Sequence, residues 1–279
     1  MQPGIFARTF ERPVLAEALD AAAASGVETI QFNMALVGGP SLPRRIPPAG
    51  AAAIRAAVRA RGLTMAAVSG TYNMAHPDRA VRDDGAARLH TLIAAAPALG
   101  TRVVTLCTGT RDPDDMWRAH SDNASAEAWA DSLEQIAAAV RVAEAHEVVL
   151  AFEPEHNNVV GDARSGRRLL DELPSPSLRV VLDGANLIRP GELSRQGETL
   201  REAVALLGDA LVLAHAKDVR DDGTIVAAGR GDLDYPLYVR LLDDAGYAGP
   251  LVLHGLSEAE VPAAVRFLRD WLAPFAPTG

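Results

Sequence analysis

The sequence contains one cysteine, Cys107, in 279 residues, so no disulfide can form within the chain. A protein without disulfides depends on its apolar core, and this composition is typical of a reducing compartment. No apolar run approaches the roughly 20 residues that a membrane-spanning helix needs. The chain also begins without a basic segment followed by an apolar one, which is the pattern of a secretory signal. These absences predict a cytoplasmic protein with no membrane partner.

An excess of basic residues is also lacking. Lys and Arg number 27 against 36 Asp and Glu, and the formal net charge is −9. Proteins that bind nucleic acids usually present a basic surface, because neutralisation of phosphates supplies much of their affinity. The balance therefore predicts no nucleic-acid partner and favours a small substrate that is neutral or weakly charged.

Two kinds of segment alternate along the chain. Short apolar runs rich in β-branched residues are typical of buried parallel strands, and longer Ala-, Leu-, Arg- and Glu-rich stretches with helical spacing follow them. The predicted strands are Gly4–Ala7, Glu28–Phe32, Thr64–Ser69, Arg102–Cys107, Val148–Glu153, Arg179–Asp183, Leu211–Ala216 and Leu251–His254. The predicted helices are Val14–Ser25, Ala49–Arg61, Asp83–Leu99, Ser125–His146, Asp162–Glu172, Glu198–Leu207, Tyr235–Ala245 and Glu258–Leu272.

Eight such alternations predict an α/β protein with a closed (β/α)₈ barrel that spans residues 1–279 as one domain. Glycines at the ends of the helices, such as Gly26, Gly62 and Gly100, agree with helix C-caps, and Asp162 is a plausible N-cap. An open doubly wound sheet is the rival architecture. It often carries a glycine fingerprint after its first strand, which Gly4–Ala7 does not supply.

The functional groups of such barrels come from the C-terminal ends of the strands. Four consecutive strands end in a residue able to bind a metal: Glu153, Asp183, His215 and His254. Two carboxylates and two imidazoles around one centre suit a divalent metal ion. Taken singly, each residue is more often a helix cap, a partner of an arginine or a hydrogen-bonded histidine. Together they predict a metal site at the mouth of the barrel.

Further polar residues follow the strand ends. Lys217 should point to the mouth with His215, because alternate residues of a strand face the same way. It either binds an anionic group of the substrate or forms an ion pair with Asp183, Asp218 or Glu155. Other residues that could contact the substrate are Glu155, Asn186, Asn73, His76 and the glycine-flanked Arg230. The long loop 109–123, which contains Trp117, is a candidate lid, and Cys107 is interpreted as a core or mouth residue.

The sequence resembles the sugar phosphate isomerase/epimerase group of the xylose isomerase-like TIM barrel superfamily. The resemblance is carried by these stretches in this order: Tyr72–Asp78, Glu153-Pro154, Leu182-Asp183, His215–Asp218, Gly229–Tyr235 and Ala245–Leu253. It covers nearly the whole chain and implies a barrel in which Glu153, Asp183 and His215 bind a metal. It does not imply one substrate, since that superfamily contains ketose epimerases, isomerases, dehydratases and an endonuclease.

Two positions depart from the pattern of those epimerases. His254 stands at the end of the eighth strand, where they usually carry a glutamate that binds the metal and moves a proton. Asn186 stands three residues after Asp183, where several of them have a histidine that contacts the substrate. Replacing a carboxylate by an imidazole makes the ligand set softer. We therefore predict one divalent metal ion, Mn²⁺ first, with Co²⁺, Zn²⁺ or Mg²⁺ as alternatives.

The predicted function is metal-dependent isomerisation or epimerisation of a sugar or sugar-like polyol, by proton transfer next to a metal-bound carbonyl. Glu153 is the expected base, with His254 and Lys217 as further catalytic residues. A lyase, either a dehydratase or a C-glycoside-cleaving enzyme, could use the same site, and a non-catalytic sugar-binding barrel is the alternative from another class. A homodimer is a possible assembly.

Overall fold

The fold was analysed in a computed structural model, which describes residues 1–275. Nine strands are present: β1 (Gln2–Phe6), β2 (Thr29–Phe32), β3 (Thr64–Ser69), β4 (Val103–Leu106), β5 (Val149–Phe152), β6 (Leu178–Asp183), β7 (Leu211–Val219), β8 (Ile225–Ala227) and β9 (Pro250–Leu253). The α-helices are α1 (Leu15–Ala24), α2 (Pro48–Arg59), α3 (Arg79–Leu99), α4 (Ala126–Ala145), α5 (Ala163–Glu172), α6 (Gln196–Leu207), α7 (Tyr235–Asp244) and α8 (Val261–Leu272).

Eight of the strands form a closed parallel barrel. Strands β1 to β7 pair in sequence order, and β9 closes the ring by pairing with both β7 and β1. Helices follow the barrel strands, as a parallel sheet requires of its crossover connections. The predicted (β/α)₈ barrel is therefore confirmed, and the doubly wound alternative is wrong.

The ninth strand was not predicted. The seventh strand was predicted to end at Ala216, but β7 stays extended to Val219. The chain then turns back, and β8 pairs with the end of β7 in an antiparallel hairpin. In this hairpin Lys217 lies opposite Ala227. A three-residue strand leaves little periodic signal in a sequence, which is why it escaped the prediction.

The helix predictions hold with shifts of a few residues at the ends. The largest shift is in α3, which begins at Arg79 because the Asp78 side chain accepts a hydrogen bond from Ala80 N and caps the helix there. The predicted N-cap Asp162 is confirmed, and Ser165 returns a hydrogen bond to complete a capping box. None of the described helices combines the length and the apolar character that crossing a bilayer requires.

Two apolar layers support the mouth of the barrel. The larger lies between the strands and the helices and includes small residues such as Ala18 and Ala22 of α1, which let the helix approach the sheet closely. The smaller one fills the barrel interior. It consists of side chains from five different strands: Ala67, Ala151, Val181, Leu213 and Val252. Because this plug is fully buried, the polar strand ends above it have a firm floor.

Candidate metal centre and active site

Glu153, Asp183 and His215 converge at the C-terminal mouth of the barrel. Each offers a ligand atom, and these atoms lie within 4.8 Å of one another. His215 Nδ1 is 3.3 Å from Glu153 Oε2 and 3.6 Å from Asp183 Oδ2. The backbone register explains the approach, since Asp183 lies directly opposite His215 in the β6–β7 pair. The structure thus brings together three of the four predicted ligands.

Gln31 on β2 fixes the ring of His215. Its Oε1 lies 2.8 Å from His215 Nε2, and its Nε2 donates to the hydroxyls of Ser69 and Thr105. This orientation makes Nε2 of the histidine the donor and turns Nδ1 towards the two carboxylates. Burial opposes a charge on the ring, but Glu153 and Asp183 together raise the pKa of His215 to about 9. Without a metal, the ring therefore carries a proton on both nitrogens at neutral pH.

Lys217 reaches the same group of charges from β7. Its Nζ is 3.0 Å from Asp183 Oδ2 and 3.7 Å from Glu153 Oε1. Burial opposes the ammonium, yet Asp183 and then Glu153 raise the pKa of Lys217 above its ordinary value. The prediction that Lys217 faces the mouth with His215 is met, because both line the same cavity.

One sequence signal for Lys217 was overlooked. It is the only lysine in the chain, and every other strongly basic side chain is an arginine. A compact ammonium fits between two carboxylates, whereas the planar guanidinium of arginine needs more room.

The three converging residues fit a divalent cation. Asp183 Oδ2 and His215 Nδ1 are buried, and their contacts within residues 1–275 are ion pairs, to Lys217 Nζ at 3.0 Å and to Glu153 Oε2 at 3.3 Å, which lack hydrogen-bond geometry. Buried polar atoms without a hydrogen-bond partner are costly, so they point to a missing ligand. Carboxylate oxygens and an imidazole nitrogen are donors that Mn²⁺, Co²⁺ and Zn²⁺ accept. Asp183 Oδ1 is occupied by the backbone N–H groups of Ala185 and Asn186, which leaves Oδ2 facing the centre.

His254 lies beside this cluster and is not one of its three converging residues. Its ring stacks on His215, with centroids 5.2 Å apart, and on Phe6, with centroids 4.6 Å apart. Burial, then the charges of Lys217 and His215, lower the pKa of His254 well below its ordinary value. The end of β9, the eighth strand of the barrel, therefore supplies a neutral imidazole to the wall of the site.

Asn186 and Glu155 are also brought to the centre. Asn186 Nδ2 donates a 2.6 Å hydrogen bond to Glu153 Oε1, which leaves Glu153 Oε2 facing His215. Glu155 lines the cavity next to Glu153. Burial, reinforced by the negative charge of Glu153, raises the pKa of Glu155 to about 8.

A cavity of about 380 Å³ opens above the cluster. Polar side chains from the ends of four further strands, β1 to β4, line it together with the residues above: Arg8, Gln31, Asn33, Ser69, Thr71 and Thr105. None of these six was a predicted site residue. Gln31 and Thr105 lie within strands that read as apolar core segments, so their inward direction gave no signal. Cys107 also lines the cavity, as interpreted from the sequence, and burial raises the pKa of its thiol.

Four predicted substrate-binding residues do not line this cavity: Asn186, which is held against Glu153, and Asn73, His76 and Arg230. Asn73 is buried and joins two loops by accepting from Thr110 N and donating to Asp112 O. The His76 ring accepts from Asp78 N and lies 3.1 Å from Pro113 O. Arg230 is exposed on the loop after the β7–β8 hairpin. Its glycine neighbours serve that loop, whose turn is held by the Asp218 carboxylate through Gly229 N and Leu233 N.

The loop 109–123 forms one side of the cavity rim. Met116 and Trp117 line the cavity, although Trp117 is 52% exposed. The loop is tied down by Asp112, which accepts from the Arg118 guanidinium at 2.6 and 2.8 Å. Asn157 Nδ2 in addition donates to Trp117 O at 3.2 Å. In this conformation the sequence-based candidate lid lines the cavity and is held by these hydrogen bonds.

Comparison with known proteins identifies the family of the chain and solved structures with a similar fold. A family model described as xylose isomerase-like TIM barrel matches residues 19–271. A D-tagatose 3-epimerase-like protein superimposes with a TM-score of 0.77 at 14% identity, over 98% of both chains. An L-ribulose 3-epimerase superimposes with a TM-score of 0.74 at 19% sequence identity, over 98% of this chain and 95% of the other. A 3-keto-D-glucoside 4-epimerase from E. coli superimposes with a TM-score of 0.71 at 19% sequence identity, over 98% of both chains. No curated protein matches the sequence significantly.

Proposed function

Because this chain belongs to the xylose isomerase-like TIM barrel family, we propose that it is a divalent-metal-dependent isomerase or epimerase of a sugar or sugar-like polyol. The observation that carries the proposal is the converging Glu153–Asp183–His215 group, with two buried ligand atoms that form no hydrogen bond with a residue of the range 1–275, at the floor of the cavity. The epimerase activities printed for similar structures agree with this class of substrate.

Glu153, Asp183 and His215 would hold the ion. When bound, a divalent ion polarises a carbonyl and makes the neighbouring C–H more acidic. Glu153 is placed to take up that proton, since Asn186 holds its Oε1 and its Oε2 faces the centre. Lys217 offers a buried ammonium to a developing negative charge, because Nζ has three hydrogens and two carboxylate neighbours.

His254 is the proposed second proton carrier. A neutral imidazole accepts a proton, and its Nδ1 forms no hydrogen bond with any described residue. Return of the proton by Glu153 to the neighbouring carbon would give isomerisation. In epimerisation, neutral His254 would take the proton from one face of the carbon, and the protonated carboxyl of Glu153 would deliver one to the other face. Glu155 is the proposed partner of a substrate hydroxyl.

A lyase is the second candidate, and His254 is the observation that favours it. The sequence resemblance implies a glutamate at the end of β9, the eighth barrel strand, and His254 stands there instead. The site therefore lacks the second carboxylate that would move a proton in those epimerases. Proton removal followed by loss of a neighbouring hydroxyl would then be dehydration. A lyase changes the mass of the substrate, whereas an isomerase does not.

The test begins with elemental analysis of protein purified without added metal. We expect about one Mn²⁺, Co²⁺, Zn²⁺ or Mg²⁺ per chain in the parent and loss of it in Asp183→Asn. Asp232→Asn, which changes an exposed carboxylate of the same barrel end, is the matched control and should keep the metal. His254→Ala decides whether this imidazole is a ligand or a free proton carrier.

The second half of the test is product analysis. The metal-loaded protein is incubated with ketoses in D₂O, and exchange of a C–H next to the carbonyl is followed by NMR. Deuterium incorporation with unchanged skeleton supports the isomerase or epimerase, and a dehydrated product supports the lyase. A parent without metal, and without thermal stabilisation by any of the four ions, would leave a non-catalytic sugar-binding barrel.

The remaining sequence-based expectations belong to the same proposal. They are a single domain over residues 1–279, a cytoplasmic location, a small-molecule partner in place of nucleic acid, and a possible homodimer.

A further inference from the structure

Arg8 is a cation at the rim of the cavity that the proposed chemistry does not use. It follows β1 in a 3₁₀ turn, Ala7–Thr9, so its side chain stands at the C-terminal mouth of the barrel. It lines the cavity, is exposed, and takes part in none of the ion pairs formed within residues 1–275. The neighbouring Arg12, which is half-buried, is by contrast engaged with Glu258 through two short contacts.

The charged groups of the cavity are unevenly distributed. Glu153, Asp183 and Lys217 contact one another at its floor, with Lys217 Nζ 3.0 Å from Asp183 Oδ2 and 3.7 Å from Glu153 Oε1. Arg8 lines the same cavity at its opening, and no carboxylate of residues 1–275 forms an ion pair with it.

The positions of the two cations indicate where an anionic group of a ligand would bind. Lys217 is buried beside the cluster and already faces Asp183 and Glu153. Arg8 forms no ion pair within residues 1–275 and stands at the opening of the cavity. Its guanidinium is therefore free to bind a carboxylate through two parallel N–H···O hydrogen bonds. A ligand whose carbonyl reaches the cluster would present its far end to Arg8.

We propose that the substrate is an anionic keto sugar, with a carboxylate at the end remote from the reacting carbonyl, and that Arg8 binds this carboxylate. This inference rests on the proposed function, because it assumes that the carbonyl end lies at the cluster. It adds a binding residue and a charge to the substrate class.

The test compares two ligands of the same skeleton. D-fructose and D-fructuronate differ in whether carbon 6 is a hydroxymethyl group or a carboxylate. Their affinities for the metal-loaded protein are measured by calorimetry at low and at high salt. We expect the acid to bind about tenfold tighter or more at low salt, as a charged hydrogen bond contributes, and this advantage to shrink as salt rises.

Variants of Arg8 identify the contact. Arg8→Gln should remove most of the preference for the acid without lowering the affinity for fructose, and Arg8→Lys should retain part of it. Arg220→Gln is the matched control, since Arg220 is an exposed arginine after β7 that does not line the cavity. It should leave the preference unchanged.

The outcomes separate this inference from the function beneath it. Equal affinity for the two ligands, no binding of the acid, or an unchanged preference in Arg8→Gln would overturn the inference. If fructose is epimerised while the acid does not bind, the proposed function stands and the inference falls. If the acid binds through Arg8 and neither ligand is converted, the inference stands and the proposed catalysis falls.

Discussion

At the scale of single residues, the site depends on side chains that hold other side chains. Gln31 spans the barrel from β2 and fixes the His215 ring at 2.8 Å, and Ser69 and Thr105 hold the amide in turn. Such partners of a ligand decide which nitrogen is free and how the ring is turned.

Replacing Gln31 should therefore weaken metal binding without touching a metal ligand. For Gln31→Leu we expect the affinity for Mn²⁺ to fall about 10- to 100-fold, because the ring loses its acceptor at Nε2. Gln31→Glu keeps an acceptor and should lose much less. Metal titration calorimetry on the two variants checks this, and equal affinities for the parent and Gln31→Leu would show that the ring needs no such partner.

Lys217 gives a second prediction at this scale. In metal-free protein, Lys217→Met leaves two buried carboxylates without their cation, and breaking a buried pair in this way typically costs about 3–5 kcal/mol. Metal should then stabilise this variant more than it stabilises the parent. Urea denaturation of both proteins, with and without Mn²⁺, measures the four free energies of unfolding. A variant as stable as the parent without metal would contradict the prediction.

The three converging residues of the centre could be predicted from the sequence, whereas the residues that surround and orient them could not. Glu153, Asp183 and His215 were visible because strand ends share one rim of the barrel. Gln31 was missed because its strand has the pattern of an apolar core segment, and Arg8 was missed because it lies in a three-residue turn after β1. Asn73 looked like a site residue because it follows β3, but its amide is consumed by the loops that it joins.

At the scale of elements, close packing between a loop and a helix anchors the mouth. Tyr72 follows β3, and its ring lies against Gly85 of α3 so closely that a Cβ atom there would collide with it. The tyrosine hydroxyl donates to Gln135 of α4 at 3.0 Å, so one side chain joins two helices to the third strand end.

Gly85→Ala should accordingly destabilise the protein. Alanine favours a helix over glycine by about 1 kcal/mol, but overpacking typically costs about 1–3 kcal/mol and here would displace the Tyr72 ring. Gly50→Ala in α2 is the control, because a Cβ there meets only Pro47 at 3.9 Å and the site is exposed. Thermal melts should move down for the first variant and up slightly for the second. Stabilisation by Gly85→Ala would rule out the close contact.

The loop 109–123 carries the pH-dependent prediction. A hydrogen bond from Arg118 keeps the pKa of Asp112 below its ordinary value. The pair therefore stabilises the loop above the usual carboxyl pKa of about 4, and this contribution is lost as the pH falls through the lowered pKa. At neutral pH, Asp112→Asn should imitate the acid state and speed hydrogen exchange in this loop. Asp114→Asn, an exposed neighbour without such a partner, should not. Equal exchange in both variants would contradict the role of the pair.

The elements themselves were largely predictable. Long helices with caps and apolar strands carry strong periodic signals, and all eight barrel strands were found. The β7–β8 hairpin was not, because it depends on pairing between residues that no local pattern marks.

At the scale of the whole molecule, the proposed metal site predicts a link between ion binding and the stability of the fold. An ion that binds only the folded barrel should raise its stability by about 2.7 kcal/mol at a free concentration 100 times its dissociation constant. Chelator treatment should therefore lower the melting temperature, and excess Mn²⁺ should restore it. Asp183→Asn should melt at one temperature under both conditions. If the chelator also shifts the variant, the ion is bound elsewhere.

The single lysine has a consequence for the protein's chemical lifetime. Reducing sugars condense with free amines, and the products accumulate on exposed lysines as glycation adducts. Here the only lysine is enclosed among carboxylates as an ammonium ion, and the outer surface carries its positive charge on guanidinium groups. Under the proposed function the protein would meet open-chain ketoses at each turnover, and it would expose almost no primary amine to them. Prolonged incubation with fructose should add at most the adduct of the terminal amine to the intact mass.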